Sequence, residues 1–96
     1  MFKITSGKGF HMTFENGYTI SVQFGSGNYC DNRHLAWDAP IEPSKTAEIA
    51  IWPEGGDLIE FPHGDSVRGW CTADEVAQII SQVQNWDQGK LNKFPE

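Results

Sequence analysis

"GFHMTFENGYTISVQFG", Gly9 to Gly25, decides how this chain is read. Apolar residues fall at Phe10, Met12 and Phe14, then at Tyr18, Ile20, Val22 and Phe24. Strict alternation of this kind marks half-buried strands. Asn16-Gly17 between the two runs resembles a two-residue hairpin turn, but parity argues against it. A two-residue loop would set Phe14 opposite Thr19, and directly paired residues share a face, so apolar and polar groups would mix. A loop of Glu15-Asn16-Gly17 instead pairs Phe14 with Tyr18, Met12 with Ile20 and Phe10 with Val22. The expected turn is therefore type I with a bulge, and Gly17 takes the left-handed conformation.

Working outward, "FKI" continues the even parity through Phe2 and Ile4. It is expected to form a first strand, joined through Ser6-Gly7-Lys8-Gly9 into a meander. Downstream, Ala47, Ile49 and Ile51 alternate with Glu48, Ala50 and Trp52. After the turn-rich Pro53–Asp57 come Leu58, Ile59 and Phe61. This reads as a second hairpin, ended or placed at an edge by Pro62. "GDSVRGW" is a connector with a short extra strand at Ser66–Arg68. In "CTADEV", Thr72 and Glu75 form a capping-box pattern, with Cys71 and Val76 at the staple positions. Val76, Ile79, Ile80, Val83 and Trp86 make one apolar helical stripe. The spacing predicts a helix over 73–87, stopped near Gly89, with Lys90 and Lys93 at its negative end. One-faced strands and a one-striped helix imply an α+β domain: an antiparallel sheet of about five strands (N-terminal meander plus second hairpin) with one C-terminal helix on one face. Residues 1–96 are read as a single domain, with a flexible tail over about 90–96.

The 96 residues are 39% hydrophobic and 12% aromatic, enough bulky groups to offset ordering entropy. Net charge is −6, against the cation-rich surface that duplex binding requires. Direct DNA binding is therefore not expected. The charge is uneven. Residues 1–37 carry three cations against two acids, and residues 38–75 carry nine acids against Lys45 and Arg68. The start "MFKITSGKGF" has no apolar run of signal-peptide length, and no stretch is long and apolar enough to cross a membrane. The expectation is a cytoplasmic protein with Cys30 and Cys71 as reduced thiols.

Among chemistry-bearing patterns, Gly25-Ser26-Gly27 is weak as a phosphate cradle, because no helix pattern follows it and neither nucleotide-binding fingerprint is present. Cys30, His34, His63 and Cys71 lack the tight paired spacing of zinc sites, and Cys71 has a packing role under the helix start. No Gly-x-Ser-x-Gly elbow and no Cys/His framework points to a nucleophile. The expectation is a protein without catalytic residues, metal or cofactor. What remains is an aromatic and cationic set in loops and at strand ends: Tyr29, Arg33, Trp37, Trp52, Arg68 and Trp70, with Gly25, Gly27, Asn28 and Asn32. Trp and Tyr stack on flat ligands, and Arg grips phosphate or carboxylate. The competing reading is that Trp37, Trp52 and Trp70 plug the ends of a small core.

The run "F-E-N-G-x-T-I-S-V-Q-F-G-x-G-N-Y" at Phe14–Tyr29, "A-E-I-A-x-W" at Ala47–Trp52 and "G-D-x-V-x-G-W" at Gly64–Trp70 resemble short uncharacterised proteins encoded by tailed bacteriophages and prophages. The resemblance implies a small accessory viral protein acting by binding in the host cytoplasm. One form counters host defence by sequestering a nucleotide-derived immune signal, as a possible homo-oligomer. Another is an acidic inhibitor of a host protein, whose 38–75 segment mimics nucleic-acid charge; a phage accessory role of unrelated kind is a third.

Overall fold

The computed structural model describes residues 1–6, 8–87 and 91–95. Strands β1 (Phe2–Thr5), β2 (Gly9–Thr13), β3 (Thr19–Gln23), β4 (Thr46–Trp52) and β5 (Arg68–Thr72) precede helix α1 (Ala73–Gln84). They form one antiparallel sheet in the order β1-β2-β3-β4-β5. The helix packs over β3, β4 and β5, which gives the α+β layering that the one-faced pattern requires.

The first hairpin has the parity-derived register, Phe10 opposite Val22 and Met12 opposite Ile20. The Phe14 N–H donates to Tyr18 O at 2.9 Å, and Gly17 sits at φ +90°. Tyr18, Ile20, Ile49, Ile51, Ile59 and Val83 are fully buried. Each of the buried Ile and Val side chains contributes roughly 1.5–3 kcal/mol on leaving water. The capping box is also formed. Glu75 N–H donates to Thr72 Oγ1 at 3.2 Å, and Thr72 N–H donates to Glu75 Oε1 at 2.9 Å. Burial pushes the Cys71 thiol above its ordinary pKa, in keeping with its packing role.

The second hairpin needs correction. Leu58–Phe61 is not a strand, and the fifth strand is Arg68–Thr72, later than the short one expected at Ser66–Arg68. A strand has two edges, and those of β4 are taken by β3 and β5. Because β5 pairs with β4 from Thr46 to Ile49, only the end of that edge is left for residues 58–61, too little for a ladder. Instead Ile59 N–H makes a single bond to Ile51 O at 2.8 Å, and Ile59 and Phe61 insert into the core. Glu60 bridges Lys93 in parallel, and Phe94 stacks on Phe61 at 5.3 Å. Lys93 is thus engaged with this segment. Gly89 and Lys90, the expected helix stop, lie outside the described residues, as do 90 and 96 of the expected tail.

The helix ends at Gln84, one turn before 87, and its C-terminus is closed from elsewhere in the chain. Asn16 Nδ2, on the first hairpin turn, donates to Val83 O at 2.8 Å and to Trp86 O at 2.9 Å. Val83 O lies in the last turn, where carbonyls lack an i+4 partner within the helix, and it also accepts from the Trp86 N–H at 3.2 Å. Asn16 Oδ1 accepts from Tyr18 N–H at 3.1 Å, which fixes the side chain for that task. At the other side of the molecule α1 does not reach β1. Phe2 and Ile4 lie opposite Met12 and Phe10, on the core face, yet remain 75% and 81% exposed.

Candidate functional site

Between β3 and β4 the chain runs from Phe24 to Lys45 without a strand or helix, and local bonds shape it. Gly25 N–H donates to Asn28 Oδ1 at 2.9 Å, Gly27 N–H to Arg33 O at 3.0 Å, and Asn28 N–H to Gly25 O at 3.2 Å. The Gly25 and Gly27 amides are therefore consumed within the turn and do not converge on a vacant anion position. Asn32, almost fully buried, donates from Nδ2 to Phe24 O and Glu42 O, each at 3.1 Å, and ties the two ends of the segment together. Gly25 and Asn32 thus serve the loop's architecture.

Three contacts fasten this loop to the sheet. Tyr29 N–H donates to Glu48 Oε2 at 2.9 Å, Asp31 N–H donates to Thr46 Oγ1 at 2.9 Å, and Trp70 N–H donates to Tyr29 O at 2.8 Å. The last contact needs close backbone approach. A Cβ on Gly69 would lie 2.6 Å from Tyr29 Cβ. Glycine at 69 is what lets the loop reach β5.

The result is a contiguous surface patch. The Tyr29 and Trp70 rings stack with centroids 5.8 Å apart at 23°. The Arg33 guanidinium carbon lies 4.4 Å from the Tyr29 ring centroid, and its Nη1 donates to Gly27 O at 3.2 Å. Trp70 is 54% exposed and sits at φ +51°. A bulky residue in left-handed backbone is strained, and such strain concentrates where a side chain must be aimed at something. The bulge between Ala47 and Ile49 in the β4–β5 pairing accompanies it.

The other aromatic and cationic residues go elsewhere. Trp52 meets His11 edge-on at 5.1 Å on the sheet face away from the helix. Burial, with Lys3 adding to it, lowers the His11 pKa. Arg68 Nη2 pairs with Glu75 Oε2 at 2.9 Å and supports the helix cap. Trp37 is 86% exposed and borders a cavity with Gly25 and Asn32. The structure therefore unites Tyr29, Arg33, Gly27 and Trp70, with Asn28 behind them, and separates Trp37, Trp52 and Arg68 from that group. Glu48 is legible in sequence only as part of the acidic 38–75 segment, not as an anchor for the loop. It reads there as an outward strand acid, and only the folded loop shows it accepting from Tyr29.

Among the described residues, no three of His, Cys, Asp and Glu are grouped to hold a metal ion. No helix is long and apolar enough to cross a membrane. Comparison with protein-family models, with curated proteins and with solved structures finds no match to this chain.

Proposed function

We propose that this protein is a small non-catalytic binding module that holds a nucleotide-type ligand on the Trp70–Tyr29–Arg33 patch. The observation that carries this reading is Trp70: half-exposed, held in strained left-handed backbone, and stacked on a tyrosine that itself carries a guanidinium. An indole placed this way offers a face to a planar group, and stacking a base on an aromatic is worth about 1–3 kcal/mol. Arg33 pairs with no carboxylate among the described residues, so its charge is available to a phosphate. The resemblance to small bacteriophage proteins supports the role of such binding: removal of a nucleotide-derived signal in host defence.

Calorimetry and tryptophan fluorescence against mononucleotides, cyclic dinucleotides and cyclic ADP-ribose isomers test this. Saturable binding is expected. Trp70→Ala should weaken it roughly 5- to 150-fold, the stacking energy expressed as affinity, while Trp52→Phe leaves it intact. Silence across the panel, with no nucleotide released from the purified protein on denaturation, overturns the reading.

A further inference from the structure

We propose a second, separate binding site: a cavity beside the Gly25-Ser26 turn that takes a small organic monocarboxylate, its anion on Lys8 and its apolar body against Trp37. The cavity has a volume of about 120 Å³ and is bordered by Ser6, Lys8, Ser26, Leu35, Trp37 and Ile41. An enclosed apolar cavity of about 150 Å³ accommodates benzene. An open one of this size therefore suits a body near that dimension.

Three observations give the site its chemistry. The first is the lysine. Lys8 Nζ donates to Ser26 O at 2.7 Å, and its stem lies on Gly25, where a Cβ would come within 2.6 Å of Lys8 Cγ. The glycine lets the stem lie flat and fixes the ammonium at the cavity. Among the described residues the only ion pair is Arg68–Glu75. Lys8 is thus in no ion pair among the described residues, in a protein of net charge −6, and among them two of its three donors have no partner.

The second is apolar exposure. Trp37 and Ile41 border the cavity yet remain 86% and 84% exposed. A ligand body would cover surface that folding alone leaves wet. The third is strain. Ser6 sits at φ +48°, and with Trp70 it makes the two non-glycine residues at positive φ among those described. One is at the stacking patch and the other at this cavity. Glu42 also borders the cavity. A second negative charge on the ligand would face it, which favours a monoanion over a phosphate dianion.

An NMR titration of the full chain with benzoate tests the site, read at the Ser26 and Leu35 amides and the Trp37 indole. Localised, saturable shifts with millimolar affinity are expected, and phenyl phosphate should bind more weakly. Lys8→Met keeps the stem on Gly25 and removes the charge; it should weaken benzoate about tenfold or more, the usual worth of a charged hydrogen bond. Trp37→Ala, a change at an exposed side chain, should also weaken it and guards against a folding defect in the lysine variant. Trp70→Ala should leave benzoate binding unchanged, so failure here and failure of the nucleotide reading are distinguishable. No localised shift by about 20 mM benzoate, or unchanged affinity in both Lys8→Met and Trp37→Ala, overturns the proposal. Tighter binding of phenyl phosphate than benzoate overturns the preference for a monoanion.

Discussion

Replacing Trp70 by glycine and by alanine separates its local strain from its contacts. Both substitutions remove the ring stacked on Tyr29 at 5.8 Å, an interaction worth about 0.5–1.5 kcal/mol. They differ in the backbone. At φ +51° alanine retains the left-handed penalty of roughly 1–2 kcal/mol, and glycine does not. Glycine's freer unfolded chain returns about 0.4–1 kcal/mol of that difference. The glycine variant should therefore be the more stable by on the order of 0.5–1 kcal/mol. That is the reverse of the usual strand order, in which glycine is the worse residue. For a domain of this length the difference is a few degrees in Tm. Thermal unfolding followed by circular dichroism, with urea midpoints as a check, reads it directly. Both variants should lose nucleotide binding together. An alanine variant as stable as the glycine variant, or more so, would show that position 70 is not strained and would remove the main support for the stacking patch.

Two further outcomes follow from the contacts. Asn16→Ala removes the donor to Val83 O and Trp86 O and should cost about 1–3 kcal/mol in urea unfolding, whereas Asn85→Ala, whose bond to Ser81 O is exposed, should change stability by less than about 0.5 kcal/mol. The Glu75 carboxyl is held below its ordinary pKa of 4.5, first by the Thr72 backbone N–H and then by the Thr72 hydroxyl and Arg68; a depressed folded pKa contributes stability above the unfolded value and loses it as pH falls through the folded one, so Glu75→Gln should flatten that part of the stability–pH curve, and an NMR titration placing Glu75 at or above 4.5 would contradict the cap geometry.

What the sequence made legible was local. Alternation and face-sharing within Phe10–Phe24 determine the hairpin register, because a one-residue slip would turn the apolar set outward. The Thr72–Glu75 box needs only four consecutive residues. Leu58–Phe61 was misread because its apolar content is genuine, while its claim to a ladder depends on which segment occupies the second edge of β4. That is a contest with Arg68–Thr72, invisible in either segment alone. The site divides in the same way. Tyr29, Arg33 and Trp70 were legible as residues able to bind. Their meeting depends on a glycine at 69 that admits Tyr29, a contact across some forty positions. Arg68 has the same composition-level signal and is instead engaged by Glu75, seven residues on.

The bond from Asn16 to the end of α1 spans 67 residues to Val83 and 70 to Trp86. During synthesis the donor emerges well before its acceptors. The hairpin can form early, but the final helical turn stays open until Val83 and Trp86 have been made. Tyr18 reinforces the link, meeting Trp86 edge-on at 5.1 Å. Opening the helix end therefore disturbs the β2–β3 turn, and the two should exchange amide protons as one unit. Closure of this clasp makes an early hairpin and a late helix parts of a single cooperative fold.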